Sequence, residues 1–146
     1  MSEANQNTEA TGASKSSRKA KWIVAGILLI FAVAAAMNLP RGFSDDLSRI
    51  GKGKAAVVLV RDKNAVESFN LMEMMNSVRD QYSGKVEFLV TDFNTPEGRT
   101  FMAANKAERV TLALIDANGK VVNILYPPQT AESLGQAIAG VPGVAQ

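Results

Sequence analysis

Six apolar residues in a row, Ala55-Ala56-Val57-Val58-Leu59-Val60, break at Arg61-Asp62-Lys63-Asn64 and lead into an amphipathic stretch ending near Tyr82. This succession constrains the fold more than any other feature. A short β-branched run with polar punctuation reads as a buried strand. The segment after it reads as a helix, because Leu71, Met74, Met75, Val78 and Tyr82 recur at i, i+3, i+4, i+7 and i+11, with Gly84 at the expected stop. Val86 to Asp92 is the next strand. A crossover helix between two strands makes them parallel neighbours. Thr95-Pro96-Glu97 supplies N-cap, N1 and N2 for a second helix running to about Ala107. Thr111–Ile115 and Val121–Tyr126 are strands joined by Asp116-Ala117-Asn118-Gly119, a hairpin turn by its chemistry. Pro127-Pro128 closes the sheet edge. Thr130 caps a last helix, Ala131 to Gly140, with Leu134, Ala137 and Ile138 inward, and residues 141–146 form a loose tail. The order β-α-β-α-β-β-α predicts a three-layer α/β/α sandwich over residues 54–140.

The N-terminal part is different in kind. Residues 1–21 are a polar leader ending in Arg18-Lys19-Ala20-Lys21, with the composition of a disordered arm. The 18 residues from Trp22 to Leu39 carry no charge and no polar helical face. At 1.5 Å per residue they extend about 27 Å, close to the hydrocarbon core of roughly 30 Å. Trp22 suits the headgroup level and Pro40 ends the helix. The sequence therefore predicts a single-pass anchor over 22–39 and a juxtamembrane linker over 40–53, where Ser44 caps a short helix. Four basic residues precede the span against Arg41 after it, which places the N-terminus in the cytoplasm and the C-terminal domain outside. Ala34-Ala35-Ala36 also fits a signal-peptide cleavage site. The length of the apolar stretch and of its polar leader favours the uncleaved anchor.

Charge and composition remove whole classes of function. Lys15, Arg18, Lys19 and Lys21 against Glu3 and Glu9 account for the entire net charge of +2, so residues 41–146 are balanced. Nucleic-acid binding, which needs a clustered basic face, is not expected. The chain has no cysteine and no histidine. Disulfides, thiol chemistry and imidazole acid–base catalysis are therefore chemically unavailable. No GxGxxG, P-loop or EF-hand pattern occurs, and no cofactor is expected.

The order of elements, together with Lys54 to Val60, Gln81-Tyr82-Ser83-Gly84-Lys85-Val86, Asp92 and Val110 to Lys120, resembles the thioredoxin family. Counting back from Tyr82, that family's C-x-x-C motif falls on Ala65-Val66-Glu67-Ser68, and both sulfurs are missing. A serine hydroxyl forms no disulfide and is protonated near neutrality, so thiol–disulfide exchange is excluded. The family's cis-proline is replaced by Val110. A cis bond before a non-proline residue costs about 2.5–4 kcal/mol, so the Arg109–Val110 peptide is expected to be trans.

The resemblance directs attention to Asn64, Ala65, Val66, Glu67, Ser68, Arg109 and Val110 as a former active-site turn, now free to bind a partner. Ser68 reads as a small polar helix residue, because no base stands near it. Asp62 and Asp92 lie at strand ends, where ligands bind in open α/β sheets, but Arg61, Lys63 and Arg99 make them solvated ion-pair partners. Met72, Met74 and Met75, with Met102 in reach, form the alternative site, a Cu(I) or small-ligand carrier using thioethers. The competing reading of these methionines is core packing. The sequence thus predicts a membrane-anchored, redox-inactive thioredoxin-like domain, with the bilayer and a membrane or periplasmic protein as partners.

Overall fold

The computed structural model describes residues 16–38 and 42–144, with the side chains of residues 21–35 and 42–144. The polar leader up to residue 15 and the helix stop at Leu39-Pro40 lie outside the described residues. The chain divides into two compact units, 1–41 and 42–146.

In the first unit, α1 spans Ser16–Asn38. Its large apolar side chains, from Trp22 through Ile27, Leu28 and Phe31 to Val33, are exposed. Among the described residues no helix is long and apolar enough to cross a membrane.

The second unit holds β1 (Ala55–Arg61), α2 (Val66–Arg79), β2 (Val86–Asp92), α3 (Pro96–Asn105), β3 (Thr111–Ile115), β4 (Val121–Leu125) and α4 (Ala131–Ala139). The sheet order is β2-β1-β3-β4. β1 pairs in parallel with β2, from Ala55↔Val86 to Arg61↔Asp92, and antiparallel with β3, from Ala56↔Ile115 to Val60↔Thr111. β4 runs antiparallel to β3, with a bulge at Leu114/Ile115. The β-α-β-α-β-β-α order read from the sequence is the observed one.

Alternation along β1 explains the layers, because successive side chains leave a strand on opposite faces. Ala55, Val57 and Leu59 pack with Leu71, Met75 and Val78 of α2 and Leu134 and Ile138 of α4. Ala56, Val58 and Val60 pack on the other face with Phe101 of α3 and Ala107. Both faces of β1 are covered, which is why its sequence is continuously apolar rather than alternating. The Tyr82 hydroxyl donates to the Gly135 carbonyl at 2.8 Å and ties the end of α2 to α4.

Four local expectations are corrected. The segment read as a linker belongs to the compact unit from Gly42 onward. The Ser44 carbonyl accepts from the Val90 N–H at 2.9 Å along the outer edge of β2, and Phe43 stacks at a tilt on Phe88, 6.4 Å between centroids. An edge strand has unpaired backbone groups, and this segment satisfies one of them. Its short helical turn, Leu47–Arg49, is capped by Asp46, while Ser44 Oγ only accepts the Asp46 N–H. At the other end, the tail read as loose places Val141 and Val144 in the core at 4% and 3% exposure. Finally, α2 stops at Arg79 and tightens into a 3-10 turn over Asp80–Tyr82 before Gly84 at φ +82°, and α3 stops at Asn105 before a left-handed Lys106.

Candidate functional site

The register brings four loops to one end of the sheet. β1 and β2 end there at Arg61 and Asp92, β3 begins there at Thr111, and β4 ends there at Leu125. The turn before α2, the Phe93–Thr95 loop, the Lys106–Val110 loop and the Tyr126–Thr130 loop therefore share that end.

Asp62 organises the turn. It is 7% exposed, not a solvated loop charge as the sequence suggested. Its Oδ1 accepts the Asn64 N–H at 2.9 Å, its own N–H donates to Ser68 Oγ at 2.9 Å, and its Oδ2 lies 3.5 Å from Arg109 Nη1. Arg109 also stands over the Phe93 ring at 5.3 Å. Arg109 and Val110, chosen from sequence with residues 64–68, are thus brought against the turn. Ala65 occupies the N-cap of α2 with no side-chain hydrogen bond, forgoing about 1 kcal/mol available to a serine or aspartate there.

Val110 carries the unusual backbone of the site. Its φ of +62° lies in the left-handed region, which a β-branched residue enters at a cost of about 1–3 kcal/mol. Its N–H donates to the Val60 carbonyl at 2.9 Å, which holds the loop on the end of β1. The Arg109–Val110 peptide is trans as expected; the cis bond among the described residues is Pro127–Pro128.

Ser68 is 1% exposed, and its hydroxyl accepts a backbone N–H. That geometry suits a structural clamp across the turn and offers no access to a substrate. Ser68→Ala leaves the Asp62 N–H buried without an acceptor, a loss of about 1.5 kcal/mol. Chemical unfolding of the full chain in detergent, followed by circular dichroism, reads this as a lower midpoint. An unchanged midpoint would remove the clamp.

Asp92 sits on the far side of the turn. Its Oδ2 is 3.0 Å from Lys63 Nζ and 3.9 Å from Arg61 Nη2, and its Oδ1 accepts the Asn94 N–H. That N–H and then the Lys63 ammonium hold its carboxyl below the usual carboxylate range. A carboxylate so held is an ion-pair partner rather than a proton acceptor. Arg99, expected beside it, instead donates to the Asn94 carbonyl at 2.6 Å.

The methionines do not converge. Met75 is fully buried, and Met72 and Met74 pack at the edge of the same core, whereas Met102 packs on the opposite face of the sheet. Met72 and Met74 also line different cavities, on opposite flanks of α2. Soft-metal binding needs several thioethers on one point. Among the described residues no group of three or more Asp or Glu is placed to hold a metal either.

Sequence reasoning missed one residue of this end, Phe69. It is 61% exposed, with Val66 beside it at 70% and Tyr126 beyond β4 at 50%. The signal was present: Val66 and Phe69 fall off the apolar face defined by Leu71, Met75 and Val78.

The structure is similar to an uncharacterised thioredoxin-like protein from Clostridium perfringens, with TM-score 0.57 and 11% identity over 68% of this chain and 88% of that one. It is also similar to desulfothioredoxin from Desulfovibrio vulgaris Hildenborough in its reduced form, with TM-score 0.53 and 20% identity over 68% of this chain and 96% of that one. No protein-family model matches the chain, and no curated sequence does. The fold is thioredoxin-like.

Proposed function

We propose that this protein is a membrane-anchored, redox-inactive thioredoxin-like module that binds a protein partner outside the cytoplasm, as a scaffold or assembly factor. One observation carries the reading: Val66 and Phe69 are exposed on the first turn of α2, where the sulfur positions hold Ala65 and Ser68. Exposed aromatic and aliphatic side chains beside a polar rim are typical binding anchors. The left-handed Val110 and the Asp62–Arg109 pair hold the neighbouring loop in place, so little order has to be created on binding. Thiol–disulfide exchange is no part of this role, since the chain has no cysteine.

Anchoring rests on the uncharged stretch from Trp22 to Leu39 and the basic residues before it. A tether raises the effective concentration of the domain for a partner in the same bilayer.

Phe69→Asp in the full chain tests the docking. Purified from its own membranes in mild detergent, the variant is expected to lose a co-purifying protein by about tenfold, as removal of an aromatic hot spot does. Its melting temperature should match the parent, because Phe69 is exposed. An unchanged set of retained proteins at full occupancy ends this reading. Resistance of the parent to alkaline carbonate extraction tests the anchor separately.

A further inference from the structure

A second surface lies further along α2. It begins at Glu67, and its other charge, Glu73, stands one turn beyond Phe69. Between α2 and the Pro127–Gln129 segment runs an open groove of about 850 Å³. Met74, Pro127 and Pro128 supply its accessible apolar lining, over the buried Leu71. Its charged lining residues are Glu67 and Glu73, with no lysine or arginine among them. Asp62, Glu87 and Asp92 are all held in ion pairs, whereas neither Glu67 nor Glu73 is in one among the described residues.

The walls also determine how an occupant can bind. Two prolines present no N–H, and the backbone of α2 is used within the helix. The Tyr126 carbonyl already accepts from Gln129 Nε2 at 2.7 Å, and Gln129 Oε1 accepts from Ser133 Oγ at 2.9 Å. With no N–H on either proline, this wall offers an added strand no continuous ladder. Docking through side chains, as an amphipathic helix lies in a groove, suits it better.

We infer that the α2–Pro127/Pro128 groove binds a basic amphipathic helix of a partner protein, its apolar stripe on Met74 and the prolines and its Lys or Arg residues on Glu67 and Glu73. This surface shares Glu67 with the turn but does not rest on docking at Phe69.

The test uses the full chain in zwitterionic micelles and a fluorescent Leu/Lys amphipathic helix of about four turns, with empty micelles as baseline. Wild type is expected to raise the anisotropy of the peptide above that baseline, with binding falling as salt screens the charges. Glu67→Lys with Glu73→Lys should weaken it roughly tenfold, through lost pairing and new repulsion. Ser77→Trp, which fills the groove without touching its charge, should weaken it as well. A Leu/Glu peptide with the same stripe should not bind. Equal binding of the two peptides, charge reversal within twofold of wild type, or no binding above empty micelles would each overturn the inference. If the charge-reversed chain does not fold by circular dichroism, the Ser77→Trp variant decides, and its binding within twofold of wild type is equally fatal.

Discussion

Gly98→Ala is expected to destabilise the domain by about 2 kcal/mol, although helix propensity alone predicts the opposite sign. Gly98 lies in the first turn of α3, and glycine inside a helix is ordinarily about 1 kcal/mol worse than alanine. Here, however, α3 starts directly against the end of β2. The Thr95 N–H and hydroxyl both donate to the Asp92 carbonyl, at 3.0 and 2.9 Å, and Thr95 Oγ1 accepts the Gly98 N–H at 3.1 Å. A Cβ on Gly98 would overlap that same Asp92 carbonyl oxygen, 2.8 Å from its carbon and 3.1 Å from Thr91 Oγ1. Its neighbours are mostly backbone, which cannot swing aside as a long side chain can. Overpacking of this kind costs about 3 kcal/mol, and the gain in propensity offsets only about 1. The melting temperature of the full chain in detergent should fall by roughly 10 °C. A rise would mean that α3 can slide off β2 without cost.

Val141→Asp is expected to cost about 3 kcal/mol, whereas in a loose tail it would be neutral within about 0.5 kcal/mol. Val141 is 4% exposed and belongs to the cluster that includes Leu134 and Ile138. Its N–H donates to the Ile138 carbonyl at 3.0 Å, and the Val144 N–H donates to the Val141 carbonyl at 3.2 Å, so the chain folds back on α4. Burying such a side chain contributes about 1.5–3 kcal/mol, and a carboxylate in its place adds a desolvation cost. The cost is bounded, because residues 141–144 can peel away instead. A urea midpoint equal to that of the parent would show that they contribute nothing to the core.

The two substitutions mark where local pattern was sufficient and where it was not. The elements were legible because each carries its own signal. β1 is a six-residue apolar run, α2 has a repeating apolar face, and α3 and α4 open on Thr95-Pro96 and Thr130 caps, which the structure places where expected. The parallel pairing of β1 and β2 followed from the helix between them. The candidate turn was legible only through its resemblance to a thioredoxin, since Ala65 and Ser68 carry no chemistry that would single them out. Phe69 was passed over because an exposed aromatic on a helix has meaning only once its surroundings are known.

Sequence by itself determined the order of elements, the absence of thiol and imidazole groups, and the uncharged stretch from Trp22 to Leu39. These depend on residue type and short-range spacing, which a linear reading contains. Tertiary structure decided the burial of Asp62 beneath Arg109, the left-handed Val110, the docking of Phe43 and Ser44 on β2, and the packing of Val141 and Val144. Each of these depends on contacts between segments far apart in sequence. In segments of four or five residues no period is long enough to announce them, and the free energy that holds them comes from the surfaces they meet.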